Sequence, residues 1–229
     1  MITRTYIAAA ALASVVGAVG TRRTAAVTKP IPLALLAGEV IRGWRGRPGI
    51  DNALLTAAVT FSAAGDRAML LEEFTPPSPA DGERRLTVGH PLTLKDSRLA
   101  CGATLFAGAQ LSYCALLWRR GVRPRAHTLL PRVAVLGESA AVIAAHRPRL
   151  LAVLLPYGNT LATMSALAAD APTNQPALRV GGLLFLASDL TILNRRHLIG
   201  DPGLRRLSEI WVLASYFAAQ ALLIDGLAD

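Results

Sequence analysis

Hydrophobic positions along this chain gather into long runs separated by short polar connections rich in Arg, Pro and Gly. The runs lie at roughly 5–20, 24–43, 51–71, 99–118, 128–145, 149–169, 177–194 and 207–226. Most approach the ~20 residues that a helix rising about 1.5 Å per residue needs to cross the hydrocarbon layer. The pattern predicts an all-α polytopic membrane protein, a bundle of about eight transmembrane helices forming one domain over residues 1–229. The first run, from Tyr6 to Gly20, is short and rich in small residues behind one arginine, so a cleaved signal peptide is the alternative there. Gln220 interrupts the last run.

Connections such as Arg42 to Pro48 and Arg119 to Pro124 are short. The exception is a polar loop of about 72–98, which holds Pro76, Pro77, Pro79 and a mixed-charge stretch. It reads as irregular or re-entrant chain at one membrane face and not as a second domain. Strict alternation of the spans puts twelve basic residues on one side and nine on the other, with Lys29, Arg67 and Arg132 inside runs. With four of the twelve in the single long loop, the basic residues leave the orientation open.

Composition agrees with a bilayer. Apolar residues make up 52% of the chain and charged ones 17%, with a mean hydropathy of +0.41. The net charge of +9 does not point to nucleic acid, because aromatics are only 5% and the arginines sit between apolar runs as loop anchors. The expected location is an integral, multi-pass position in a bacterial plasma membrane. Cys101 and Cys114 share one run thirteen residues apart, too far along a helix to bond to each other.

A carboxylate or ammonium inside a span costs at least about 2.5 kcal/mol on insertion scales, so each is a functional candidate. These are Lys29, Glu39, Asp66 with Arg67, Arg132, Glu138 and Asp189. The structural alternative is that end charges reach the headgroups and deeper ones pair within the bundle. Depth singles out three. Asp66 lies five residues before the end of its run (71 − 66) and Asp189 five before the end of its own (194 − 189), about 7.5 Å along each helix. Both runs are odd-numbered and cross in the same direction, and Lys29 lies five residues into the second run, which starts at that face. A further echo links Asp66 and Phe106-Ala-Gly-Ala-Gln110 with Asp189 and Tyr216-Phe-Ala-Ala-Gln220. A parallel duplication of four spans and chance similarity between alanine-rich helices both account for it.

Several chemistries are missing. Gly137-Glu-Ser139-Ala-Ala141 departs from a nucleophile elbow at its last position. His90, His127, His146 and His197 lie in loops or at run ends without paired spacing, so no metal is expected. No phosphate-binding glycine loop occurs, and no cofactor is expected. Carboxylates, a lysine and tyrosines remain.

Thr28-Lys29-Pro30, Ser62-Ala-Ala-Gly65-Asp66, the stretch from Phe106 to Tyr113, Gly181-Gly182-Leu-Leu-Phe185-Leu-Ala-Ser188-Asp189 and Tyr216-Phe-Ala-Ala-Gln220 occur in this order. Together they resemble the YhhN-type lysoplasmalogenases over nearly the whole chain. The resemblance implies an eight-span membrane protein that cleaves the vinyl ether bond of a lysoplasmalogen to a fatty aldehyde and a glycerophospho-alcohol. It implies Lys29, Asp66 and Asp189 as the family's lysine and aspartates. It also implies Tyr113, Gln110, Tyr216, Gln220 and Ser188 as residues around the lipid. The fourth-span motif of the family usually carries a histidine ahead of the tyrosine, where this chain has Gln110 before Tyr113.

Vinyl ether hydrolysis starts with protonation of the alkene carbon and passes through an oxocarbenium ion that water captures. Two carboxylates at one depth suit it, one supplying the proton and one facing the cation. Lys29 is then a partner for one aspartate or for the headgroup phosphate, and the tyrosines and Gln220 position water or glycerol hydroxyls. The expected partners are a lysophospholipid substrate and the surrounding membrane lipids. The rival reading is a transporter or lipid-binding membrane protein using the same charged layer, and a third is a scaffold held by ion pairs.

Overall fold

The structure is a computed structural model that describes residues 3–76, 92–197 and 199–228. Its helices are α1 (Arg4–Val19), α2 (Arg22–Thr28), α3 (Pro30–Arg42), α4 (Gly49–Glu73), α5 (Leu94–Arg119), α6 (Ala126–His146), α7 (Leu151–Ala169), α8 (Pro176–His197) and α9 (Pro202–Ala228). Short 3-10 turns occupy Trp44–Gly46 and Pro148–Leu150. No strand occurs among the described residues, and the fold is all-α.

Each predicted run became helix. The second run holds two, because Pro30 and Pro32 bring no N–H to the ladder just beyond Lys29. Lys29 nevertheless keeps helical angles, φ −57° and ψ −37°, so the chain passes through the break without reversing. Among the described residues, six apolar stretches are long enough to cross a membrane: Arg22–Arg42, Gly49–Glu73, Leu94–Arg119, Ala126–His146, Pro148–Ala169 and Pro202–Ala228. They mark a multi-pass membrane protein. The shorter α1 is built into the bundle, packing on α9, and its Tyr6 hydroxyl donates to the Phe217 carbonyl at 2.6 Å. Gln220 does not interrupt α9, because its amide is fully buried with partners inside the bundle.

Both ends of the 72–98 segment are helical, since α4 continues to Glu73 and α5 begins at Leu94 behind Thr93, whose hydroxyl accepts from the Asp96 N–H at 3.2 Å. The rest of that loop, His90 included, falls largely outside the described residues. At its other end α5 stops on Gly121, whose φ of +82° suits glycine and carries the chain towards α6.

Helix α4 packs along α5, α8 along α9, and α7 touches α5, α6 and α8. Helices α7 and α8 approach closely at Gly182, where an added Cβ would come within 2.6 Å of the Ala168 Cβ. Helix α6 is the outlier: Ile143 is its only buried residue, and it leans on α7 with a smaller contact on α8. An ion-pair clasp ties the turn after α6 to the start of α5. The fully buried Asp96 takes Arg147 at 3.1 Å on one oxygen and Arg149 on the other. Cys101 and Cys114 both ride on α5 and are free.

Candidate functional site

One cavity of about 220 Å³ lies between α4, α5, α6, α7, α8 and α9, at the level of the α2–α3 break. Asp66, Asp189 and Lys29 all line it. Asp66 stands seven residues from the end of α4 (73 − 66) and Asp189 eight from the end of α8 (197 − 189), so their depths of about 10.5 and 12 Å match. Equal depth follows from position along each helix. Facing one cavity needed the rotation of each helix about its own axis as well.

Each aspartate is held by a tyrosine from another helix. The Tyr216 hydroxyl of α9 donates to Asp66 Oδ2 at 3.2 Å, and the Tyr157 hydroxyl of α7 donates to Asp189 Oδ2. The Tyr216 ring is fixed edge-on by Phe106 and Phe185, each with centroids 5.8 Å away. Phe106 comes this close because Gly65 precedes Asp66; a Cβ there would lie 3.0 Å from the ring. The Tyr157 turn is pinned by Thr160, whose hydroxyl meets the Tyr157 carbonyl at 2.8 Å and Gln110 Oε1 at 2.5 Å.

Lys29 takes acidic partners other than the aspartates. Its ammonium donates to Glu73 at 3.3 Å and sits 3.8 Å from Glu209, which also pairs with Arg195. This chain of charges links the α2–α3 break to α4, α9 and α8 along one wall of the cavity. Space for the lysine depends on α1, because a Cβ at Gly17 would meet Lys29 Cε at 3.0 Å and Leu213 Cδ1 at 2.3 Å.

The other sequence candidates divide between wall and interior. Ser188 and Tyr216 line the cavity, although the Ser188 hydroxyl is committed to the Val212 carbonyl at 2.9 Å. Tyr113, Gln110 and Gln220 are fully buried and do not line it. Tyr113 donates to Gln220 Oε1 at 2.5 Å, and Gln220 Nε2 donates to Ser62 at 2.8 Å, a cross-tie between α5, α9 and α4. Of the remaining intramembrane charges, Glu39 pairs with Arg42 at 2.5 Å, Arg132 donates to Ser165 at 2.9 Å, and Arg67 and Glu138 are exposed.

Sequence reasoning missed Tyr157, Glu73, Glu209 and Arg195. Tyr157 is an aromatic residue in an apolar run and carries no sign of its task. Glu73 and Arg195 fell just beyond the drawn runs, and Glu209, just inside the last one, was not singled out. A one-turn extension of the third and seventh runs would have gathered Glu73 and Arg195.

The arrangement offers two hydrogen-bonded carboxyl groups and a tethered cation in a cavity with otherwise largely apolar walls. Among the described residues no group of His, Cys, Asp and Glu is grouped to hold a metal ion. The fold and cavity together define a multi-pass, all-α membrane protein with a charged site between its helices. The model of the YhhN family matches residues 24–227, nearly the whole chain, and the protein belongs to that family. No curated protein and no solved structure matches the chain.

Proposed function

We propose that the protein is a membrane-embedded lipid ether hydrolase that cleaves the vinyl ether bond of a lysoplasmalogen. The observation that carries this is the pair of carboxylates, Asp66 and Asp189, lining one cavity from different helices with a tyrosine on each. Membership of the YhhN family supports it.

In this reaction one carboxyl group protonates the alkene carbon and the other, ionised, faces the oxocarbenium ion that results. Water adds to the cation and gives up a proton, and the hemiacetal collapses to fatty aldehyde and glycerophospho-alcohol. Charge stabilisation in a water-poor cavity is stronger than in solution, because the effective dielectric is lower. The hydroxyls of Tyr157 and Tyr216 fix the carboxyl groups against the substrate. Lys29, held by Glu73 and Glu209, supplies a cation at the polar end of the cavity, where a phosphate headgroup fits.

A second reading, transport or binding of a lipid without chemistry, draws on the chain of ion pairs from Lys29 through Glu209 to Arg195. Such a chain spans three parts of the bundle and can exchange partners if they move. Incubating the purified protein with a lysoplasmenyl lipid and following fatty aldehyde separates the two. The hydrolase reading expects aldehyde from the parent protein and none from folded Asp66→Asn or Asp189→Asn proteins. Undiminished release from both variants removes the aspartates from the chemistry, and no release from the folded parent favours the second reading.

A further inference from the structure

Two ionisable side chains within the spans lie outside the cavity. Glu138 of α6 and Arg67 of α4 are exposed on the surface of the bundle, and neither has an ion pair or hydrogen bond among the described residues. Glu138 lies eight residues before the end of α6 (146 − 138) and twelve after its start (138 − 126), about 12 and 18 Å along the helix, too deep for so short a side chain to reach either headgroup layer. Arg67 lies six residues before the end of α4 (73 − 67), about 9 Å along it. Helices α4 and α6 are separated by the single span α5 and end at the same membrane face, so the two depths differ by about 3 Å, within the reach of an arginine. The packing agrees. A Cβ at Gly158 would lie 3.0 Å from Leu136, two residues before Glu138, and the adjacent Tyr157 holds Asp189. Glu138 thus stands close to the level of the aspartates, and Arg67 directly follows Asp66.

Around both charges the surface suits a helix neighbour. Ile143 is the only buried residue of α6, and the side chains flanking the charges are small: Ala134, Gly137 and Ala141 near Glu138, and Thr60 and Ala63 near Arg67, all exposed. Small residues let two helix backbones approach, and helices in a bilayer associate through such faces and the polar contacts across them. We propose that the exposed face of α6 docks on α4 of a second copy of this chain, with Glu138 of one copy paired to Arg67 of the other inside the apolar layer. The cation that Glu138 lacks stands on the chain's own free surface at matching depth. Helices α4 and α6 also cross in the same direction, so equally oriented copies present them side by side. Pairing removes two lone charges from lipid. A twofold axis along the membrane normal forms both pairs at once and closes the assembly as a dimer. The contact uses neither the cavity nor its chemistry, and it braces from outside a helix whose inner face lines the cavity through Leu136, Ala140 and Ile143.

The test is energy transfer between donor-labelled and acceptor-labelled protein in lipid vesicles, followed as the protein is diluted into more lipid. The parent should associate, and Glu138→Gln or Arg67→Gln should weaken association about tenfold, the effect of losing a strong polar contact between helices. Charge reversals separate a contact between copies from a fault within one. Folded Glu138→Arg and Arg67→Glu proteins should each fail to associate alone, yet associate with each other to within about threefold of the parent, because mixing restores both opposite-charge pairs. Overturning results are a folded parent that stays monomeric at every dilution, glutamine variants that associate like the parent, or reversed variants that pair no better together than apart. None of these readouts depends on aldehyde release, so the hydrolase reading stands or falls separately.

Discussion

Tyr216 and Asp66 lie 150 residues apart in the chain, yet the tyrosine hydroxyl donates to the carboxylate at 3.2 Å, with the ring wedged between Phe106 and Phe185. The ring contacts and the hydroxyl are separable. Tyr216→Phe keeps the edge-on packing and removes only the hydrogen bond, which is worth about 1.5–3 kcal/mol when one partner is charged. The variant should fold, and its aldehyde release should fall by about 10²-fold, the lower end of what general acid–base groups contribute. Tyr157→Phe should behave alike at Asp189. Parent-level turnover in both variants would mean that the hydroxyls do not position the carboxyl groups.

Glu209 and Glu73 both touch Lys29, but their settings differ. The Glu209 side chain is 8% exposed and also holds Arg195, whereas that of Glu73 is 34% exposed. Glu209→Gln leaves two cations facing each other away from water, and should cost about 3–5 kcal/mol. Glu73→Gln should cost about 1 kcal/mol or less, because solvent already screens that pair. Denaturant unfolding in detergent micelles measures both, and equal losses would contradict the unequal burial.

Two glycines should respond to alanine with opposite signs. At Gly182 a Cβ lies 2.6 Å from the Ala168 Cβ and 3.3 Å from the Ser165 Cα, so Gly182→Ala must push α8 from α7 at about 1–3 kcal/mol. At Gly137 nothing lies within 4 Å, so Gly137→Ala only restricts the unfolded chain and favours helix, a gain of up to about 1 kcal/mol. Thermal unfolding of the two variants against the parent checks the pair of signs.

Glu138 sits near the middle of α6 on its exposed face, without an ion pair or hydrogen bond among the described residues. Its carboxylate opposes insertion of that helix. Glu138→Leu should make α6 insert more favourably by about 2.5 kcal/mol or more, read from a membrane-insertion assay of the segment. Unchanged insertion would show that the carboxylate is already relieved of the apolar layer.

Much of the fold was legible because span length and hydropathy are local properties. The drawn run 24–43 corresponds to α2 and α3, and 128–145 to α6. The run ends were drawn short at Glu73 and Leu94, since charged first and last turns continue a helix that hydropathy alone would stop. Lys29, Asp66 and Asp189 stood out in the sequence for a related reason: an ionised group in an apolar run is expensive wherever its helix packs. Tyr157 did not stand out, because a tyrosine in such a run carries no comparable penalty and gains its meaning only from Asp189 opposite.

The repeat-like echo shows where sequence reasoning ends. It set Phe106 in the fourth span beside Tyr216 in the eighth as equivalent positions. In the bundle the two rings touch each other, Tyr216 serves the aspartate of α4, and Tyr157 of α7 serves that of α8. Gln110, Tyr113 and Gln220 likewise lie on spans that border the cavity, yet point into the interior beside it. The sequence by itself determined where the apolar runs lie, the family, and the depth at which charge is buried, because each depends on residue type and position along the chain. Only the tertiary structure decided which side chains meet, because the rotation and neighbours of every helix are set by close packing at places such as Gly17, Gly65 and Gly182, between residues far apart in the chain.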